Sequence, residues 1–112
     1  MIDESIFNNL IAELKRGTQI LQVLSQMNKT QYGYSLLQTL EEKNINIEAG
    51  TLYPLLRRLE SQGILQSEWD TSESRPRKYY VLSSDGKSLY ESLKIEWLKI
   101  NEEMSRLLKE DM

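Results

Sequence analysis

The chain has 112 residues, a net charge of −3 and a pI near 5.0, and it contains neither cysteine nor histidine. That length suits one domain with a modest core. Without cysteine there is no disulfide framework or thiolate metal site, and without histidine the usual general base, nucleophile activator and zinc ligand are all missing. The opening residues, Met1-Ile2-Asp3-Glu4-Ser5, lack the basic start and apolar run of a signal peptide. No apolar run approaches the roughly 20 residues of a membrane span. A soluble, cytoplasmic protein with no membrane partner is expected.

Ile6, Leu10, Leu14, Ile20, Leu21 and Leu24 recur at helical spacing and predict a helix from about Ser5 to Met27, with Ser5 as N-cap. Gly17 interrupts it at a cost of about 1 kcal/mol relative to alanine. Asn28-Lys29-Thr30 forms an exit loop. A second helix is expected from Tyr32 to Lys43, with Leu36, Leu37 and Leu40 inward and Gln38, Glu41 and Glu42 outward. Ile45 and Ile47 in the next turn should point into the core.

A third helix is expected over Ala49–Gln62, burying Leu52, Leu55, Leu56 and Leu59, with Tyr53, Arg57 and Glu60 on another face. Gly63 suits the left-handed position that ends it. Pro54 lacks an N–H and fits best in a first turn, which argues for Thr51 as N-cap; an earlier start would distort that turn. Leu65–Asp70 and Lys78–Leu82 read as two strands around a turn-rich tip, Thr71-Ser72-Glu73-Ser74. Tyr79 and Tyr80 must then split, one inward and one outward. Ser83 or Ser84 caps a last helix reaching Lys109, some 35–40 Å long. On it Tyr90, Trp97 and Met104 recur every seven residues, as do Leu93, Ile100 and Leu107, which is a seam for a twin helix.

This order predicts a mainly α fold with a two-stranded β-wing (α+β). It is a winged helix-turn-helix over residues 1–83, N-terminal helix included, plus a dimerisation helix over 84–112. The acidic total argues against nucleic acid, but its distribution does not. Residues 1–43 sum to −1, residues 44–80 to 0 and residues 81–112 to −2. Within the central segment Arg57, Arg58, Arg75, Arg77 and Lys78 cluster, as a local basic face for phosphate contact would.

The pieces Tyr32-Gly33-Tyr34, Gly50-Thr51-Leu52-Tyr53-Pro54-Leu55-Leu56-Arg57-Arg58-Leu59-Glu60, Gly63-Ile64-Leu65, Arg75-Pro76-Arg77-Lys78-Tyr79-Tyr80 and Leu82-Ser83-Ser84-Asp85-Gly86 follow in a fixed order. That order resembles the PadR-type transcriptional regulators over about residues 15–90. The single short last helix resembles their compact subfamily. The resemblance implies a homodimeric repressor that binds double-stranded operator DNA and is released by a small molecule. It implies DNA contacts at Tyr32, Gly50, Thr51, Tyr53, Arg57, Arg75, Arg77 and Lys78. It also implies a small aromatic effector near Trp97 at the dimer centre.

Residue by residue, each role has a plainer counterpart. Thr51, Tyr53 and Arg57 at a helix start suit phosphates, and Arg57 a guanine edge. Equally, Tyr53 can pack on the second helix while Arg57 pairs with Glu60 or Glu48. Arg58, off the exposed face, reads as a supporting charge. In the wing, Arg75, Arg77 and Lys78 around Pro76 can follow a phosphate backbone; alternatively one of residues 77 and 78 pairs with Glu68 or Asp70. Trp97 is a ligand platform or a large core anchor. Its expected companions are Leu93, Ile100 and Asn101, with Ile11, Leu14 and Thr18 as opposite walls. Tyr90, Leu93, Trp97, Ile100, Met104 and Leu107 are the expected dimer residues. Trp69 is expected to pack between hairpin and helix. Glu41-Glu42 and Glu102-Glu103 read as solvated faces, so no catalysis, metal or cofactor is expected. Two rival functions remain: a winged-helix protein-interaction module, and a ligand-sequestering protein that binds no DNA.

Overall fold

Apolar residues three and four apart make most of the chain helical, and the two alternating runs in its second half make the wing. The computed structural model describes residues 2–111. In order they form α1 (Glu4–Arg16), α2 (Gln19–Ser25), β1 (Gln31–Tyr32), α3 (Gly33–Glu42), α4 (Ala49–Ser61), β2 (Leu65–Asp70), β3 (Arg77–Leu82) and α5 (Ser84–Glu110). The sheet is antiparallel with order β1-β3-β2. No helix among the described residues is long and apolar enough to cross a membrane.

The core joins Val23, Leu24 and Met27 to Leu36 and Leu40 of α3, Ile47, the α4 stripe, and Leu65, Tyr80 and Leu82 of the sheet. The stripe is the expected one, Leu52, Leu55, Leu56 and Leu59. Each such side chain, fully buried, stabilises the fold by roughly 1.5–3 kcal/mol. Tyr80 is buried and Tyr79 half-buried, so strand alternation splits the pair as expected. By contrast α1 buries no residue, and α5 buries only Gly86.

Several boundaries differ from the sequence reading. The first helix is two helices, because Thr18 captures the Lys15 carbonyl with both its N–H (3.0 Å) and its hydroxyl (2.7 Å) just after Gly17. Its N-cap is Asp3, whose carboxylate accepts the Ser5 N–H at 2.9 Å, rather than Ser5. Tyr32 is not helical: Gln31 and Tyr32 pair with Tyr80 and Tyr79 and give the wing a third strand. The N-cap of α4 is Glu48, not Thr51. Pro54 therefore lies inside the helix, where it leaves the Gly50 carbonyl without its usual donor. In the first turn, the Thr51 and Leu52 N–H groups both donate to the Glu48 carbonyl, at 2.9 Å each.

One knot fixes how α4, β2 and α5 meet. Gly63 takes φ 78° and turns the chain out of α4. The Ser83 hydroxyl then donates to the Gly63 carbonyl (2.6 Å) and accepts the Gly86 N–H (2.9 Å). The Ser83 N–H donates to the Ile64 carbonyl at 3.0 Å. Gly86 lies so close to that carbonyl that an added Cβ would overlap its oxygen, whereas a Cβ at Gly17 meets nothing.

These two glycines predict opposite outcomes. Gly86→Ala should lower the urea-unfolding free energy by about 2 kcal/mol, the cost of overpacking against fixed backbone. Gly17→Ala, at a helical φ of −69°, should be neutral or stabilise by up to about 1 kcal/mol. Equal midpoints for the two variants at one protein concentration would show that the α4–α5 junction is not held by this close approach.

Candidate nucleic-acid interface

After Gly63, β2 runs back along α4, so the wing is built against the helix it accompanies. Glu60 of α4 is the clasp. Its carboxylate accepts the Lys78 ammonium of β3 at 2.7 Å and the Ser67 hydroxyl of β2. The Lys78 bond, seconded by Ser67, holds the Glu60 carboxyl below its ordinary 4.5 despite partial burial. Glu60 in turn raises Lys78 above its ordinary 10.5. Lys78 thus pairs with Glu60, not with Glu68 or Asp70, and Glu60 is not left for Arg57. Among the described residues Arg57, Arg75 and Arg77 form no ion pair.

Between the wing and the N-termini of α3 and α4 lies a groove of about 610 Å³. Tyr32, Tyr53, Arg75, Arg77 and Lys78, all expected at the DNA surface, line it together. The Arg77 guanidinium sits 4.6 Å from the centre of the Tyr32 ring, which meets Tyr79 edge-on at 5.3 Å. Such cation–ring contacts orient a charge without neutralising it. The backbone beneath is tied down: the Tyr32 N–H donates to the Ser35 hydroxyl (3.2 Å), and Gln31 Nε2 donates to the Gln26 carbonyl (2.6 Å). Tyr53 packs against Gly33, where a Cβ would overlap its ring.

Gly50, Thr51 and Arg57 lie outside this groove. Gly50, Tyr53 and Arg57, three and four residues apart, share one exposed stripe of α4. Thr51 turns the other way and, with Arg16, Pro54 and Arg58, lines a smaller groove of about 320 Å³ beside the α1–α2 break. Trp69 overturns its expectation: it does not pack between hairpin and helix but is 61% exposed on the groove wall. The sequence reading also missed Gly33 and Tyr34 as groove residues. Alternation from Leu65 through Ser67 does place Trp69 on the inner sheet face. Pattern alone does not tell that α4 offers nothing to cover it.

The residues expected around an effector are only partly together. Trp97 and Thr18 line a groove of about 450 Å³ between α2 and α5, with Tyr90, Lys94, Leu98 and α2 side chains. Leu93 packs instead against the core, and Ile100 and Asn101 are exposed further along α5. Ile11 and Leu14 are on α1, away from this groove, and Leu14 is 78% exposed.

Residues 20–92 match the Transcriptional regulator PadR-like family. The chain is 44% identical to a PadR family transcriptional regulator from Eggerthella lenta DSM 2243, whose crystal structure superposes with a TM-score of 0.89 over 94% of each chain. A transcriptional regulator of Mycobacterium tuberculosis is 32% identical over 77 residues, which is 68% of this chain and 72% of that protein. Bacillus subtilis PadR, crystallised in complex with operator DNA, is 19% identical with a TM-score of 0.62. That alignment covers 67% of this chain and 44% of that one, a likeness of fold.

The Glu60 clasp carries a pH signature. The depressed carboxyl contributes stability that is fully present above the ordinary glutamate value and lost as pH falls through the folded value. The raised Lys78 contributes below its ordinary value and loses that contribution as pH climbs through the folded one. Glu60→Gln should therefore cost about 1 kcal/mol at neutral pH, since the pair is partly solvated. The difference from the wild type should close as pH falls below the ordinary glutamate value in chemical denaturation. A pH-independent difference would assign the loss to packing instead.

Proposed function

Because this chain belongs to the PadR-like family of transcriptional regulators, we propose that it is a homodimeric, cytoplasmic repressor of operator DNA, released by a small aromatic ligand. One observation carries the DNA reading: two tyrosines of the α3 and α4 starts and the unpaired wing arginines converge on a single groove. The bound state of Bacillus subtilis PadR, which shares the fold, supports it. Residues 1–83 form the reading head. Arg57 faces a base edge from the exposed stripe of α4, with Gly50 and Tyr53 beside it. Tyr32, Arg75 and Arg77 meet phosphates, while Lys78 mainly holds the wing through Glu60 and Thr51 faces the smaller groove beside the α1–α2 break.

The dimer reading rests on apolar surface left open. Ile6, Phe7, Leu10 and Leu14 on α1 and Trp97, Ile100, Met104 and Leu107 on α5 are each 39–78% exposed. Stripes of that length mark an interface in a soluble protein. Residues 84–112 pair with their twin and place two α4 helices in successive major grooves, roughly 34–36 Å apart. A ligand beside Trp97 shifts the heads only by binding the two spacings unequally.

Binding to duplex DNA from upstream of its own coding sequence should fall linearly with salt on a log–log plot, and Arg75→Ala or Arg77→Ala should each reduce the slope by about one. In light scattering the same sample should give twice 13.1 kDa. No binding at low salt sinks the repressor, and a 13.1 kDa particle sinks the pairing. For the effector, planar aromatic compounds should quench tryptophan emission in the wild type and much less in Trp97→Ala. Equal quenching in both proteins removes Trp97 from the site.

A further inference from the structure

The register puts Trp69 on the sheet face shared by Leu65 and Ser67, directly across from Lys78. Leu65 on that face is buried, and Ser67 bonds to Glu60 of α4. Trp69 comes two residues later, beyond the clasp, and 61% of it is open to solvent. One exposed apolar side chain alone says little, but its company says more. Tyr34, 57% exposed, and Tyr53, 37% exposed, line the same groove. Arg75 and Arg77 line it too, and neither is paired to a carboxylate among the described residues.

Rings set among guanidinium groups free of salt bridges match a nucleic-acid strand, which alternates anionic phosphates with apolar sugar faces. We propose that Trp69 is a DNA-contacting residue, packing its indole on the deoxyribose of the strand whose phosphates Arg75 and Arg77 hold. This rests on the DNA-binding reading above. An indole suits a sugar face because it is flat, stiff and mostly apolar, and its single N–H can reach a phosphate oxygen. A second copy of the chain is a poor occupant. A two-fold contact through this groove would bring the same arginines face to face, and like charges in an interface oppose association.

The contact adds affinity without adding charge, which separates it from the arginines. The chain has two tryptophans, so Trp69→Ala keeps only Trp97. Titrated with labelled duplex from upstream of its own coding sequence, the wild type should show a tryptophan emission change at the midpoint of the anisotropy rise that Trp69→Ala lacks. Trp69→Ala should bind the duplex about tenfold more weakly, a loss of roughly 1.4 kcal/mol, with the salt slope unchanged. Trp69→Phe should recover most of the affinity, and far-ultraviolet circular dichroism should be alike in all variants. Unchanged affinity in Trp69→Ala, with the same emission change as the wild type while duplex binds, overturns the proposal and leaves the repressor standing. A changed particle mass in Trp69→Ala overturns it by assigning this face to protein association. Absence of duplex binding by the wild type at low salt overturns both readings together.

Discussion

The Ser83 hydroxyl sits where three elements must agree. It bonds the carbonyl that ends α4 and the amide that starts α5, while its own N–H bonds the carbonyl that leads into β2. The direction in which α5 leaves the head is thus set by backbone groups, which have little freedom to move. Gly86 tightens the setting, because any side chain there meets the Ile64 carbonyl. The proposed dimer needs such a joint. If α5 could swing freely about the end of α4, no pairing of α5 helices would define a distance between two reading helices. A ligand at the seam would then have no lever on DNA affinity.

A second joint orients the wing. Glu60 holds both strands of the hairpin to α4, through Ser67 on one and Lys78 on the other. The cost is one positive charge: Lys78 is neutralised locally, so the free charge of the wing is left to Arg75 and Arg77. This division explains how an acidic chain can present a cationic surface. The head, residues 1–83, sums to −1 and residues 84–112 to −2, so most of the excess acid lies outside the head, and the carboxylate that α4 turns to the wing is held by the lysine that anchors it. Arg77 is aimed by the Tyr32 ring without a salt bridge, while Asp70 across the strand and Glu73 at the tip lie in its field.

What the sequence made legible follows from what each signal measures. Leucine spacing reported the buried stripe of α4, since 3.6-residue periodicity is a direct imprint of one covered face. The span of β2 and the Ser83 cap were equally readable, because alternation and capping chemistry are local. The failures came from competition between neighbours in space. Gly17 was visible as a weak point, but the break needed Thr18 to take the Lys15 carbonyl. Gln31 and Tyr32 look like a helix start and become a strand because β3 has an unpaired edge beside them. Thr51 seemed the better N-cap on account of Pro54, yet Glu48 takes that position. Trp69 and Lys78 show the same limit. Their sheet face was predictable, but whether α4 would meet them with a leucine, a glutamate or nothing was not.

The distribution of burial sets how such a chain must behave in solution. The buried core runs from Val23 to Leu82, and of the elements at either end only the near half of α5 packs against it, through Tyr90 and Leu93. α1 has 13 residues and no buried side chain. A helix that short is marginal in water unless something covers its apolar stripe. The far half of α5 is in the same position, with Ile95, Leu98 and Leu108 exposed beside the heptad seam. In the proposed dimer these faces cover one another, so helix formation at both ends and subunit pairing become one equilibrium that depends on protein concentration. Trp97 is less exposed than the other seam residues that lie beyond it, at 39%, because it already rests in the α2–α5 groove. A flat ligand entering there would touch the head through α2 and the seam through α5 at once. Its binding energy would then act on the joint that Ser83 and Gly86 hold, because the groove and the joint share α5.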